Sequence, residues 1–292
     1  MRYKDPSAIE YLIRKNLIKG ATEVSKASLI ALMEKMKKIS AENEEKFLAE
    51  MRQYADYIIR LRPSMASLRN YITIAISELE NALDRGLSIE EAKKVFMRKC
   101  EELIHYSRNA LKRISTYFVE LIEPEEVIFT HSYSNTVLEC LFRAKIKNIK
   151  VIVTESRPSM EGLKTANVLA RKDIPVTLIV DAAAGMFIKN ADRVVIGADA
   201  ILPDNSIINK IGTMLLALAA KESGIPLMVV SEYMKKIQDN EIVLEERDPL
   251  EMVPKRFLKH KKITVRNIFF ERVPAQYISF LITEKGIEKL NI

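Results

Sequence analysis

Five short apolar runs, separated by segments of helical character, constrain the fold of this chain more than any other feature. They are rich in β-branched residues and read VIFT, VIVT, VTLIV, VVIGA and PLMVV at residues 127–130, 151–154, 176–180, 194–198 and 226–230. Strands without polar alternation are buried on both faces, and intervening helices are typical of a parallel sheet with right-handed crossovers. The pattern predicts a doubly wound α/β domain.

The first part of the chain has a different pattern, because it is poor in glycine and its apolar residues recur at helical spacing. Gly86 is typical of a helix C-terminus. Ser88 and Glu91 have the spacing of a capping box, which predicts that another helix starts there. We therefore predict a helical N-terminal domain over residues 1–122 and a Rossmann-like α/β domain over residues 123–292.

Composition excludes several classes of protein. Apolar residues make up 48% and charged residues 29%, which is typical of a globular protein. The chain has no apolar run long enough to span a membrane, and its charged start lacks a signal-peptide core, so we expect a cytoplasmic protein. The two cysteines, Cys100 and Cys140, and the three histidines have no disulfide or metal-ligand spacing. We predict no metal site and no cofactor.

A net charge of +7 favours anionic ligands without choosing between nucleic acid and phosphorylated small molecules. The basic residues are mostly interleaved with acidic ones, which is typical of a solvated surface. The chain also lacks the aromatic–basic motifs of known RNA-binding modules. Direct binding of nucleic acid is therefore not favoured by the sequence.

Polar side chains follow the predicted strands, at the carboxyl ends where ligands bind in such sheets. Ser132 and Ser134 come after the first strand and open a helix, where N–H groups and hydroxyls favour a phosphate, although serine is equally typical of a helix cap. Arg157 follows the second strand and can either clamp an anion or form a surface ion pair with Glu155 or Glu161.

Asp199 follows the fourth strand, and Lys235 comes shortly after the fifth. A carboxylate at Asp199 can act as a general base or accept a hydroxyl, and it can equally be a turn residue. The run from Asn209 through Lys210 to Thr213 leads into a helix and either holds a phosphate or orients Asp199. Classical nucleotide-binding glycine loops are absent from the sequence.

These positions carry a family resemblance. The segments VIFTHSYSNTVLECL, VIVTESRPSMEGLKTA, VVIGADAILPDNSIINKIGT and VVSEYMKKI resemble the family that joins the alpha, beta and delta subunits of translation initiation factor 2B with ribose-1,5-bisphosphate isomerase and methylthioribose-1-phosphate isomerase. Weaker similarity extends over nearly the whole chain. The resemblance implies a helical domain, a Rossmann-like domain that dimerises and, in the isomerases, a sugar phosphate bound over the strand ends.

The resemblance also implies which residues line the pocket. They are Lys19, Gly20, Arg62, Ser132, Ser134, Arg157, Asp199, Asn209, Lys210 and Lys235. Two of these residues, Lys19 and Arg62, are in the helical domain, and each has an alternative role outside a pocket. Lys19 can be a surface residue, and Arg62 can anchor the start of the helix at Pro63.

One departure bears on function. The isomerases carry T-H-C where this chain has Thr130-His131-Ser132, and the cysteine is thought to act with the aspartate that matches Asp199. A thiol exchanges protons near neutral pH because its pKa is about 8.5, whereas an alcohol needs a base beside it. T-H-S-Y-S is the pattern associated with the initiation-factor alpha subunits. Glu161 replaces a glutamine that is usual in the family.

Two hypotheses follow. The first is a regulatory or binding protein similar to the alpha subunit of initiation factor 2B, which forms a homodimer or higher oligomer and binds initiation factor 2 through the alpha subunit of that factor. It would retain a pocket for a sugar phosphate or a nucleoside monophosphate. The alternative is a ribose-1,5-bisphosphate isomerase with Asp199 as the base and Ser132 or a water molecule as its acid partner.

Overall fold

A computed structural model of the chain describes residues 5–15, 17–18, 20–40, 42–238, 244 and 246–290. The chain divides into two compact units, Met1–Asn109 and Ala110–Ile292. The division falls within one continuous helix, whose end lies close to the predicted domain boundary at residue 122. That boundary stays a prediction.

The first unit consists of helices, as its pattern predicts. The helices are α1 (Pro6–Arg14), α2 (Ala21–Lys38), α3 (Glu44–Arg60), α4 (Ala66–Asp84) and α5 (Ile89–Glu120), the last of which continues into the second unit. Ser88 and Glu91 form the predicted capping box, since the Ser88 N–H donates to Glu91 Oε2 (3.0 Å) and the Glu91 N–H donates to Ser88 Oγ (3.4 Å). Two unpaired donors at the start of α5 are satisfied in this way.

The second unit alternates strands and helices along most of its length. Its elements are β1 (Val127–Thr130), α6 (Asn135–Ala144), β2 (Lys150–Thr154), α7 (Glu161–Ala170), β3 (Val176–Ile179), α8 (Ala184–Phe187), β4 (Arg193–Ile196), β5 (Ala200–Ile201), β6 (Ile207–Lys210), α9 (Thr213–Glu222), β7 (Leu227–Val230), β8 (Phe270–Val273), β9 (Phe280–Thr283) and β10 (Gly286–Lys289). The five predicted strands are β1, β2, β3, β4 and β7.

The strands form two sheets. Seven of them have the order β10-β9-β7-β4-β1-β2-β3, and every neighbouring pair is parallel except the pair of β9 and β10. The other three, β5, β6 and β8, form a small antiparallel sheet. The predicted α/β fold with a parallel sheet is thus confirmed, with an antiparallel addition at the C-terminal side that the apolar runs do not indicate.

The large sheet is covered on both faces. Successive strand residues fall into different apolar clusters: Ile128 belongs to the cluster that contains Phe118 of α5, and Phe129 belongs to the cluster that contains Leu216 of α9. Successive side chains of a strand point to opposite faces, so the two clusters lie on the two sides of the sheet. Among the described helices, none has the length and apolar character needed to cross a membrane.

Candidate functional site

Ser132, just beyond the end of β1, is held in an unusual backbone conformation. Its φ is 69°, in the left-handed region that costs a residue with a Cβ about 1–3 kcal/mol. Its N–H donates to Ser156 Oγ (2.8 Å), and its carbonyl accepts from Thr165 Oγ1 (2.7 Å). Contacts with two different segments therefore fix the backbone that carries the Ser132 hydroxyl.

The Ser132 hydroxyl faces a carboxylate. Ser132 Oγ donates to Glu161 Oε2 over 3.0 Å, and Lys210 Nζ lies 3.5 Å from the same oxygen. Glu161 is the first residue of α7, where the helix dipole favours a negative charge. A hydroxyl, a carboxylate and an ammonium group thus meet at one oxygen atom.

Lys210 is deeply buried for a charged residue, with 2% of its surface exposed. Its ammonium group donates to Ser159 Oγ (3.3 Å) and lies 3.1 Å from the centroid of the Phe269 ring. The Arg247 guanidinium carbon lies 3.4 Å from the same centroid. Two groups that close to one centroid must occupy opposite faces, so Phe269 is sandwiched between two cations. Glu161 and this ring together compensate the buried charge of Lys210.

His131 is next to Ser132 in sequence, but its ring bonds elsewhere. Nε2 is 2.9 Å from the carbonyl oxygen of Ile211, and Nδ1 is 2.6 Å from Thr154 Oγ1. A carbonyl only accepts, so Nε2 carries the hydrogen. Burial lowers the pKa of His131, which favours the neutral ring with Nδ1 as an acceptor. His131 therefore joins the end of β2 to the turn before α9.

Ser134 is the N-cap of α6, since its Oγ accepts from the N–H of Val137 (3.4 Å). It also lies against the chain beyond β4, because a Cβ added at Gly197 would come within 2.6 Å of Ser134 Oγ. Of the two roles that the sequence left open, capping is thus observed at this serine. Ser134 also lies at the end of β1, where a phosphate could bind, and phosphate binding stays a prediction.

Arg157 forms neither of its predicted ion pairs. Its guanidinium group donates to the carbonyl oxygen of Met252 (3.0 Å), and its side chain is exposed. Of the two alternatives that the sequence left open, the ion pair with Glu155 or Glu161 is therefore not formed, and anion binding stays a prediction. Its backbone N–H donates to a carboxylate oxygen of Asp181 (2.7 Å), which holds the loop after β2 against the loop after β3.

Asp199 and Lys235 belong to one part of the rim. Lys235 is buried, and its Nζ donates to the carbonyl oxygen of Ala198 (2.7 Å), directly before Asp199. The N–H of Asp199 donates to the carbonyl oxygen of Ile208 (2.8 Å) in β6. These two bonds fix the backbone on both sides of the Asp199 peptide.

The turn into α9 is occupied by a carboxylate of the chain itself. The N–H group of Met214 donates to Glu271 Oε1 of β8 (2.9 Å). Burial raises the pKa of Glu271 above its ordinary value. Asn209 Nδ2 donates to Thr213 Oγ1 (3.1 Å). This turn is therefore satisfied internally, which favours a structural role for it.

The predicted residues of the helical unit are described by themselves. Gly20 precedes α2 with a φ of 85°, a conformation that suits glycine. Arg62 is buried and donates to the carbonyl oxygen of Ile13 at the end of α1 (2.8 Å). Lys19 lies outside the described residues.

Sequence reasoning missed three contributors to the site. Glu161 was recognised only as a departure from the family, while Phe269 and Glu271 were not selected at all. Their partners are dozens of positions away in sequence, so no local spacing indicates them. Among the residues that the structure describes, no group of acidic, cysteine or histidine side chains is arranged to hold a metal ion.

Comparisons with known proteins agree with this architecture. The model of the initiation factor 2 subunit family matches residues 17–289. The chain is 36% identical to a ribose 1,5-bisphosphate isomerase of Thermococcus kodakarensis, over 97% of this chain and 91% of that protein. It is 35% identical to a putative translation initiation factor eIF-2B subunit 2-like protein of Pyrococcus furiosus, over 92% of this chain and 91% of that protein.

Solved structures give the same result. The translation initiation factor eIF-2B of Pyrococcus horikoshii superposes with a TM-score of 0.80 at 31% identity, covering 97% of this chain and 96% of that one. A 5-methylthioribose 1-phosphate isomerase from the same organism superposes with a TM-score of 0.78 at 22% identity, covering 98% and 84%. The second likeness shows the fold alone.

Proposed function

Because the chain belongs to the initiation factor 2 subunit family, we propose that it is a sugar-phosphate isomerase that converts ribose 1,5-bisphosphate, or a closely related aldose phosphate, into the ketose. Relatives of that name, which align with nearly the whole chain, support this activity better than the regulatory role that the sequence alone favoured. A phosphorylated sugar also fits a rim lined by Lys and Ser side chains.

The contact that carries the proposal is the one between Ser132 and Glu161. Conversion of the cyclic sugar 1-phosphate into the open-chain ketose breaks the bond between C1 and the ring oxygen, moves one hydrogen from C2 to C1, and moves one proton from the C2 hydroxyl to the former ring oxygen. An alcohol alone is too weak an acid for the last of these tasks, but a carboxylate 3.0 Å from its oxygen can accept the proton. Ser132 and Glu161 therefore replace a thiol with a hydroxyl–carboxylate relay.

Each residue then has a stated role. Asp199 takes the hydrogen from C2 as a proton and returns it to C1. The Ser132 hydroxyl passes the proton of the C2 hydroxyl to Glu161 and later returns it to the former ring oxygen. The Lys210 ammonium group, 3.5 Å from Glu161 Oε2, holds the carboxylate in place. Lys235 holds the backbone at Ala198 and so positions Asp199.

The direct test is a product assay. Purified protein is incubated with ribose 1,5-bisphosphate in D₂O, and ribulose 1,5-bisphosphate and deuterium at C1 are measured by NMR. We expect turnover that falls at least tenfold in Ser132→Ala and in Glu161→Gln, while Glu222→Gln, on the exposed end of α9, leaves it unchanged. Wild-type protein without product above background would refute the isomerase proposal.

The regulatory alternative rests on Ser132 itself, since this position lacks the thiol that the family resemblance associates with catalysis. In that case the pocket binds a sugar phosphate or a nucleoside monophosphate without converting it. A ligand at a hundredfold excess over its Kd stabilises the native state by about 2.7 kcal/mol, so its binding is visible as a raised Tm. Ligand-dependent stabilisation without turnover, together with co-purification of initiation factor 2, would favour this role.

A further inference from the structure

One segment of the second unit carries several basic residues and no acidic one. Between Glu251 and Glu271 the sequence contains six Lys and Arg residues and no Asp or Glu. The remaining residues carry 40 basic and 39 acidic side chains, against a net charge of +7 for the whole chain. The rest of the chain is therefore nearly neutral in sum, whereas the stretch between Glu251 and Glu271 has no acidic residue to offset its six basic ones. We call residues 252–266 the basic segment.

The cations of the basic segment are exposed and mostly uncompensated. Arg266 pairs with Glu246 (2.6 Å). The other five make no ion pair with any residue that the structure describes; they are Lys255, Arg256, Lys259, Lys261 and Lys262. Elsewhere many lysines and arginines are paired with acidic neighbours on the same helix, as Lys93 is with Glu90. Unpaired cations this close together repel each other and attract a polyanion.

Apolar and aromatic side chains lie between these cations at the surface. Phe257 is 40% exposed, and the ring of His260 meets its ring edge-on at 6.1 Å. The only regular structure among these residues is a single 3-10 turn, Phe257–Lys259. An irregular basic surface with an exposed ring is what a flexible nucleic-acid strand needs, because phosphates contact the cations and a base stacks on the ring.

We propose that the basic segment binds single-stranded RNA. A duplex is disfavoured because no helix or two-stranded ribbon of the segment is available to enter a groove. An anionic membrane is disfavoured because a surface-bound element needs an apolar face on a long helix, and this segment has only one short turn. The proposal is independent of the isomerase activity, since the segment contains none of the residues assigned to catalysis.

Salt dependence tests the proposal. Binding of a fluorescent 12-nucleotide RNA without secondary structure is measured by anisotropy between 50 and 200 mM KCl. If five cations each neutralise one phosphate, log Kobs falls against log[KCl] with a slope of about −3.5, or about a hundredfold over this range. The variant Lys259→Gln/Lys261→Gln/Lys262→Gln retains two of the five, so its slope should be about −1.4.

The matched control is Lys94→Gln/Lys112→Gln/Lys189→Gln, which removes the same charge from three scattered exposed positions. It should keep the wild-type slope. Phe257→Ala should keep the slope but weaken binding at least about fivefold, the low end for one stacked base. Circular dichroism confirms that each variant is folded.

Several outcomes would overturn the proposal. They are the absence of binding at 50 mM KCl, equal losses in the two triple variants, and an unchanged affinity in Phe257→Ala. Tighter binding to an RNA duplex of the same length, to phosphatidylserine vesicles or to an acidic peptide would also do so, because each assigns the segment to another partner. None of these results depends on isomerase turnover.

Discussion

At the scale of single residues, Glu161 Oε2 accepts a hydrogen bond from the Ser132 hydroxyl and lies next to the Lys210 ammonium group. The stability of these three residues therefore depends on one carboxylate oxygen. A buried cation without its partner is costly, so removing either member leaves an uncompensated group. The left-handed backbone of Ser132 is held by hydrogen bonds to Ser156 and Thr165. Catalytic and structural roles are therefore coupled here.

A double-mutant cycle measures this coupling. Glu161→Gln and Lys210→Met should each destabilise the protein, and together they should cost less than the sum, with an interaction free energy of about 0.5–3 kcal/mol in urea unfolding. The matched control is the exposed pair of Arg52 and Glu80 (2.6 Å), for which we expect less than about 1 kcal/mol. Additive losses at Glu161 and Lys210 would contradict the buried pair.

The pH dependence of stability follows from His131. Burial lowers its pKa in the folded protein, so the unfolded chain binds a proton first as the pH falls below about 6.5. Protonation then favours unfolding, and His131 destabilises the protein by up to about 1.4 kcal/mol per pH unit down to its folded pKa. Urea unfolding at pH 7.5 and 5.5 should show a smaller difference in His131→Gln than in wild type. Equal differences would mean that the pKa of His131 is the same in the folded and unfolded chains, which would contradict its lowering by burial.

At this scale the sequence predicted positions better than contacts. Ser132 and Asp199 were selected because they follow predicted strands, and Lys210 because its run leads into a helix. The partner of Ser132 was not, because Glu161 comes 29 positions later and only the tertiary fold brings it to the hydroxyl. For Arg157 the sequence left open an anion clamp or an ion pair with Glu155 or Glu161, whereas its guanidinium group bonds to Met252, which is 95 positions away.

At the scale of elements, the start of α7 is packed against the end of β2 through a glycine. A Cβ added at Gly162 would lie 1.7 Å from the carbonyl oxygen of Thr154, and the next two atoms, Thr154 C and Glu155 C, are also backbone atoms, so no side chain can give way. Glu161 reaches Ser132 only while this contact is kept. The close approach of helix and strand therefore belongs to the architecture of the site.

Gly162→Ala should consequently lower the free energy of unfolding by about 3 kcal/mol or more, since overpacking against backbone cannot be relieved by a rotamer change. It should also reduce turnover, because α7 carries Glu161. Gly185→Ala is the matched control: nothing lies within 4 Å of the added Cβ, and we expect a change of less than about 0.5 kcal/mol. Chemical denaturation of both variants distinguishes the two positions.

The parallel strands were predictable because each is a continuous apolar run with helices on either side. The small sheet was not, because β5 has two residues and β6 pairs with β8, which lies some sixty positions later in the chain. A charged strand such as β8, with Glu271 and Arg272, carries no apolar signature. Its identity depends on a partner that local pattern cannot indicate.

At the scale of the whole molecule, exposed apolar side chains cluster on neighbouring elements of the second unit. Met186 of α8 is 78% exposed and Leu215 of α9 is 73% exposed, and these two helices contact each other. Val180, beyond the edge strand β3, is 55% exposed. Exposed apolar side chains on two helices that contact each other suit the predicted homodimer.

Light scattering should therefore give about twice the chain mass of 33.4 kDa. Met186→Glu/Leu215→Glu should shift the protein to a monomer, because two charges would be buried without partners. Ile146→Glu, at an isolated position that is 79% exposed, should leave the mass unchanged. A monomeric wild type would contradict the dimer, and dissociation of the Ile146 variant would place the interface elsewhere.

The sandwich of Phe269 has a spectroscopic consequence. The Lys210 ammonium group lies 3.1 Å above one face of the ring and the Arg247 guanidinium carbon 3.4 Å from its centre on the other. Circulating π electrons shield nuclei above an aromatic face, so the ε-methylene protons of Lys210 should resonate far upfield of those of other lysines. The shifted ε-methylene signal therefore reports the position of Lys210 in the NMR spectrum. A ligand or substitution that moves Lys210 away from the Phe269 ring will return this signal to the chemical-shift range of other lysines.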